Sequence, residues 1–218
     1  MLSAGFVHFA EYELQIIALA WMAVMYTIKA YQLSHLAMPW EKAPGKGSSI
    51  AGALRSYAGI FMPWSAESTR KHPWRWAEFG IYHVGAFIAI LTTFTMPFAP
   101  AMMVTPVRLA FAILIAPAVF LSVVKLLRRL KSPELRVVST PDDYFALVSV
   151  GAYFVSAIVA LLMDTPLANT VYFFVTAAFL FYVPFSKISH YVYFLFAGVA
   201  TGTRYGWRGV RPEARRVA

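Results

Sequence analysis

The amino-acid sequence predicts an all-α integral membrane protein, a bundle of five transmembrane helices. Of its 218 residues, 60% are hydrophobic and only 13% are charged, whereas soluble domains average roughly 45–50% apolar and about 25% charged residues. Apolar runs close to the roughly 20 residues that cross a hydrocarbon core recur along most of the chain. We therefore expect lipid, rather than water, to surround most of the folded chain.

The first predicted span covers residues 14–33 and is preceded by Glu11 and Glu13. Because a cleaved signal peptide begins with a basic segment, these glutamates indicate a retained helix. Residues 38–76 then break the apolar pattern with repeated prolines and glycines and carry six basic residues. They predict a basic loop, with a short interfacial helix at about residues 49–61.

The second and third predicted spans are residues 77–96 and 107–128, joined by a tight connection that contains Pro97 and Pro100. Basic residues at the end of the third span favour a helix C-terminus, because they interact well with the helix dipole.

The fourth predicted span, residues 142–163, follows the segment TPDD at residues 140–143. That segment fits an N-cap threonine, a proline at the first helical position and an acidic residue at the third. A turn at residues 164–166 leads to the fifth span, residues 168–200, in which Pro184 is expected to kink the helix. The tail, residues 201–218, is basic.

The net charge of +9 is interpreted as a topology signal rather than as a nucleic-acid interface. Of 19 basic residues, only Arg108 lies at the face opposite the basic loops and tail. The positive-inside rule then predicts an outside N-terminus and a cytoplasmic C-terminus in a bacterial or archaeal cytoplasmic membrane. Anionic lipid or a docked partner remains a secondary use of this charge.

Cysteine is absent from the sequence. This excludes disulfides, covalent c-type haem attachment and iron–sulfur clusters held by this chain's own thiolates. A redox centre in this chain would need other ligands.

Five histidines are present, and only His83 and His190 lie within predicted helices away from the loops. His83 is roughly 10 Å from the cytoplasmic start of its span at about 1.5 Å per residue, and His190 falls in the same half of the bilayer. Two antiparallel helices could therefore present two imidazoles at similar depth. Imidazoles in a membrane can ligate haem iron or hydrogen-bond between helices, and depth alone leaves both interpretations open.

Three segments carry a resemblance to a known family: YVPFSKISH at residues 182–190, FGIYHVG at 79–85 and TPDDY at 140–144. They resemble the respiratory nitrate reductase gamma subunit family of membrane b-type cytochromes. That family includes the membrane cytochromes of sulfite-reduction and heterodisulfide-reductase-type complexes. The resemblance implies a haem b whose iron is ligated axially by His83 and His190.

The resemblance also implies that this chain holds one haem rather than two. The better-known members carry a second histidine pair at the positions that Thr93 and Tyr172 occupy here, and neither residue replaces imidazole in an ordinary b-type site. Lys187 could pair with a haem propionate, or it could be an interfacial lysine that extends to the headgroups.

The resemblance raises the question of a quinone site as well. Arg108 stands where family members can carry a basic residue near the quinol site, although a hydrated interfacial anchor is the alternative. A pocket nearer the inner haem, lined by His35 and Tyr82, is a competing location.

We accordingly expect residues 1–218 to form a single membrane cytochrome b domain that acts as an electron-transfer subunit. It would exchange electrons between the quinone pool and an iron–sulfur or catalytic partner docked on the cytoplasmic basic loop and tail. One alternative is a haem relay without its own quinone site. Another is a cofactor-free membrane anchor or small transporter.

Overall fold

The computed structural model describes residues 3–36 and 48–203, which form helices and turns without a strand. Five helical segments within these ranges are long and apolar enough to cross a membrane. The predicted class, a five-span all-α membrane protein, is confirmed. The α-helices are α1 (Ala4–Glu11), α2 (Glu13–Ser34), α3 (Ser49–Ala58), α4 (Glu67–Lys71), α5 (Pro73–Phe98), α6 (Thr105–Lys131), α7 (Pro133–Val137), α8 (Pro141–Met163), α9 (Pro166–Tyr182) and α10 (His190–Thr201).

The first three spans are longer than predicted. The first candidate span runs from Ala4 to Ser34 and combines α1 with α2. The α5 helix begins at Pro73, within the predicted basic loop, and Pro97 lies in its last turn rather than beyond its end. Proline is tolerated at a helix start because the first amides have no intrahelical acceptor to bond.

The predicted start of the fourth span is confirmed in detail. The Thr140 backbone N–H and hydroxyl donate to Asp143 Oδ2 at 2.8 and 2.9 Å, and the Asp143 N–H donates to the Thr140 carbonyl at 3.0 Å. Pro141 occupies the first helical position of α8. These bonds satisfy backbone donors that a helix N-terminus otherwise leaves without partners.

The predicted fifth span, residues 168–200, is divided into two helices. The α9 helix ends at Tyr182, and two 3-10 turns, Val183–Phe185 and Lys187–Ser189, separate it from α10. Pro184 has no backbone N–H, and Ser186 between the turns has an extended backbone. The fifth candidate membrane span therefore ends at Phe185.

The chain divides into two compact units, which are described separately. The first comprises Met1–Met25 and Glu78–Ile188, and the second comprises Tyr26–Ala77 and Ser189–Ala218. In the first unit, α8 packs against both α6 and α9. In the second unit, α3 packs against α10.

Small residues bring the helices of the first unit close together. A Cβ added to Gly85 of α5 would lie closer than 3.0 Å to the Ala118 Cβ of α6. Ala118 is fully buried, as are Ala89 and Ala157. Because lipid tails are as apolar as the side chains, such close packing is a main source of association between membrane helices.

Candidate functional site

His83 lies on an exposed surface of α5, about 15 Å along the helix axis from Pro73 at 1.5 Å per residue. Its Nδ1 is 2.7 Å from the Phe79 carbonyl oxygen, and the two rings contact each other with centroids 4.0 Å apart. Since a carbonyl oxygen only accepts, this bond places the proton on Nδ1. In that tautomer Nε2 carries the lone pair, and it is the ring nitrogen that could ligate a metal.

The helix surface beside His83 is open at Gly80. Gly80 lies three residues earlier on the same helix face, and a Cβ at that position would meet no atom within 4 Å. An exposed imidazole with its tautomer fixed and an open glycine beside it fits one side of a haem site.

His190 is the first residue of α10 and is also exposed. We expected it deep within a continuous fifth helix, but the break at residues 183–189 places it at a helix N-terminus. The preceding Ser189 is fully buried, and its hydroxyl accepts from Lys29 Nζ at 3.3 Å. His83 belongs to the first unit and His190 to the second, so their pairing at one iron stays a prediction.

Lys187, the candidate propionate contact, is bound to carboxylates of α8. Its Nζ is 2.5 Å from Asp143 Oδ2, and its backbone N–H donates to Asp142 Oδ2 at 3.2 Å. Arg129 also approaches Asp143, at 3.4 Å. These contacts fasten the turn that precedes His190 to the start of α8, a role that the sequence did not suggest.

Arg108, a candidate quinone contact, is an ion-paired residue at the start of α6. Its Nη1 is 2.6 Å from Asp164 Oδ1, and its Nε donates to the Met103 carbonyl at 2.7 Å. The Arg108 side chain is 18% exposed, and Asp164 ends α8 in the left-handed backbone conformation. The arrangement joins two helix ends, which neither the quinone interpretation nor the hydrated interfacial anchor had included.

Tyr82 and His35, the competing quinone residues, belong to different units. Tyr82 is partly buried, and the Lys125 ammonium lies 3.5 Å from its ring centroid, a close cation–π contact. His35 is exposed, and its Nδ1 is 2.8 Å from the Tyr31 carbonyl oxygen. The predicted shared pocket stays a prediction.

Thr93 and Tyr172 are in direct contact in the core of the first unit. Their hydroxyl oxygens are 2.6 Å apart, and Thr93 Oγ1 is also 2.9 Å from the Tyr153 hydroxyl. The Tyr172 hydroxyl donates to the Ala89 carbonyl at 3.0 Å. Tyr172 is fully buried, so Thr93, Tyr153 and Tyr172 form a hydrogen-bonded cluster in the interior of the first unit.

Tyr153, the third member of this cluster, was not predicted as a partner of Thr93 and Tyr172. A signal was present, because hydroxyls on otherwise apolar membrane helices need partners within the protein. The pairing of Glu78 with Arg128 was likewise not predicted. Two of the Arg128 guanidinium nitrogens lie 2.9 and 3.1 Å from the Glu78 carboxylate oxygens.

Comparison with known proteins adds a distant relative. A protein of Nitratidesulfovibrio vulgaris is 26% identical over 172 residues, which cover 74% of this chain and 75% of the relative. No family model matches this chain, and no solved structure matches it. The family resemblance of the three sequence segments therefore stays a proposal.

Proposed function

We propose that this chain is the membrane-anchoring cytochrome b subunit of a respiratory redox complex. It would hold one haem b between His83 and His190 and carry electrons between the quinone pool and an iron–sulfur or catalytic partner on the cytoplasmic side. When bound, the haem supplies reversible one-electron transfer, and the protein supplies ligands, orientation and dielectric.

The observation that carries this proposal is the bond from His83 Nδ1–H to the Phe79 carbonyl. In histidines that ligate metals, the N–H of the second ring nitrogen commonly donates a hydrogen bond in this way. That bond fixes the tautomer and raises the basicity of the ligating nitrogen. His83 is also exposed on a membrane-spanning helix, where an imidazole is disfavoured unless it has a role.

The cluster of Thr93, Tyr153 and Tyr172 supports one haem rather than two. Its hydroxyls bond each other and the Ala89 carbonyl, which makes the core of the first unit a packed interior at these positions. A second haem at these positions would require the fully buried Tyr172 ring to move out of the core. Its hydroxyl would then lose its hydrogen bonds, which is unfavourable if it stays buried without a partner.

The three candidate quinone residues differ in the contacts that they make. The Arg108 guanidinium binds Asp164 and the Met103 carbonyl, contacts that favour its role as an anchor. We therefore propose Tyr82 and His35, rather than Arg108, as the residues to test for quinone reduction. If neither affects quinone reduction, the remaining possibility within this family is a haem relay between protein partners.

The test is a reduced-minus-oxidised visible spectrum of the purified full chain, with haem quantified per polypeptide. We expect one b-type haem, which is lost in His83→Ala and in His190→Ala and retained in His72→Ala, an exposed histidine outside the candidate spans. A colourless protein would instead support a cofactor-free anchor, and two haems per chain would contradict the interpretation of Thr93 and Tyr172.

A further inference from the structure

Large apolar side chains are exposed along residues 50–64, which belong to the second unit. Ile50 and Leu54 of α3 are 70% and 64% exposed, and they share a helix face because they are four residues apart. Phe61 and Trp64, just beyond α3, are 77% and 61% exposed. We call these four residues the α3 face; large apolar side chains grouped in this way usually contact another apolar phase.

Close packing against α10 holds α3 in place, with Gly52 and Ala53 at the contact. A Cβ at Gly198 would lie 2.5 Å from the Tyr57 ring, and one at Gly202 would lie 2.5 Å from the Gly52 carbonyl oxygen and 2.7 Å from the Ala53 backbone nitrogen. The Tyr57 hydroxyl also donates to the Leu195 carbonyl. Because α10 packs against Gly52 and Ala53, the rotation of α3 about its axis is fixed, with Ile50 and Leu54 exposed.

Hydrogen bonds fix the turn that carries Phe61 and Trp64. The Ser65 hydroxyl donates to the Gly59 carbonyl at 2.6 Å, and the Ser65 N–H donates to the Met62 carbonyl at 3.0 Å. The Trp76 indole N–H donates to the Ile60 carbonyl at 3.0 Å. The exposure of Phe61 and Trp64 is therefore a property of a bonded turn.

Basic side chains accompany the α3 face. Within residues 48–77 the sequence has four Lys and Arg residues, and the one carboxylate, Glu67, pairs with Lys71 at 2.7 Å. The three arginines, all exposed, are Arg55, Arg70 and Arg75. A segment that carries both exposed apolar and exposed basic side chains matches the boundary between acyl chains and anionic headgroups.

We propose that the α3 face lies in the headgroup and upper acyl region of an anionic lipid leaflet, with Arg55, Arg70 and Arg75 bound to lipid phosphates. The membrane occupies this face rather than a protein partner, because its exposed apolar and cationic groups match both layers of an anionic leaflet. Tryptophan, here Trp64, is also typical of membrane interfaces. This inference does not depend on a bound haem.

The absence of cysteine from the chain makes the test direct. A nitroxide label is attached to Leu54→Cys or Phe61→Cys of the full chain, reconstituted in vesicles of phosphatidylcholine with or without phosphatidylglycerol. We expect collisions with oxygen to exceed collisions with a water-soluble nickel chelate, by a larger ratio when phosphatidylglycerol is present. The combined variant Arg55→Gln, Arg70→Gln and Arg75→Gln should abolish the gain from the anionic lipid.

A label at Ser68→Cys is the matched control, because Ser68 is exposed on the polar helix α4 and should stay accessible to the nickel chelate in both vesicles. Three results would overturn the proposal. The first is full access of the nickel chelate at both labelled positions. The second is shielding from both oxygen and nickel, as a protein contact would give. The third is an oxygen preference that is equal in the two lipid mixtures.

Discussion

The contact between α5 and α6 at Gly85 allows a quantitative prediction. Replacing glycine by alanine inside an open helix stabilises the helix by about 1 kcal/mol. At Gly85, however, the new Cβ would lie closer than 3.0 Å to the Ala118 Cβ and 3.7 Å from the Ile115 carbonyl oxygen. The Ile115 distance is an ordinary contact, but the Ala118 Cβ is fixed to the α6 backbone and cannot yield unless that helix moves.

We therefore expect Gly85→Ala to lower the free energy of unfolding, even though alanine is the better helix former. Overpacking of a core by one methyl group typically costs about 1–3 kcal/mol. That cost should exceed the gain of about 1 kcal/mol in helix propensity and leave a net loss of up to about 2 kcal/mol. The measurement is an unfolding titration with sodium dodecyl sulfate in mixed micelles, followed by circular dichroism.

Two further variants separate the clash from other causes. The double variant Gly85→Ala and Ala118→Gly moves the methyl group from α6 to α5 and should recover most of the lost stability. Gly80→Ala lies on the same helix but meets no atom within 4 Å, so it should be neutral or slightly stabilising. If Gly85→Ala alone is as stable as the parent chain, the close approach of the two helices is incorrect.

Four other substitutions test the contacts of the first unit, each by the same unfolding titration. Tyr172→Phe removes a buried hydroxyl bonded to Thr93 and should lower stability by about 1 kcal/mol. A haem content that rises above one per chain in that variant would contradict the proposed role of the cluster. Arg108→Met should lower stability by about 1 kcal/mol, and Asp164→Asn by less, because Asp164 is 56% exposed. If both variants instead lose quinone reduction to the same extent and keep their stability, Arg108 is a quinone contact after all. Asp143→Asn weakens bonds to two cations and should cost about 1–3 kcal/mol, whereas an unchanged midpoint would show that these bonds do not form.

Periodicity and helix-boundary residues were sufficient to predict the membrane class and most of the span positions. The capping box of Thr140 and Asp143 is local, so four residues of sequence were enough to predict it. The helix at Ser49–Ala58 was also predicted, because its small and apolar residues are bounded by clear turn signals.

The contacts between helices could not be predicted in this way. The pairing of Thr93 with Tyr172 joins residues 79 positions apart, and nothing in either helix alone selects the other. The break after Tyr182 was underestimated because a membrane helix can retain a proline when neighbours satisfy its backbone. Here Ser186 supplies bonds of its own, accepting from the Ile188 N–H and donating to the Val183 carbonyl, which stabilise a turn instead.

That break decides how many times the apolar C-terminal stretch can traverse a bilayer. The α10 helix has 12 residues, about 18 Å at 1.5 Å per residue, which is well short of a hydrocarbon core of about 30 Å. A hydropathy plot merges residues 168–200 into one long segment, yet only the part before residue 186 has the form of a crossing. Reporter enzymes fused after residue 186 and after residue 203 should accordingly give the same compartment signal.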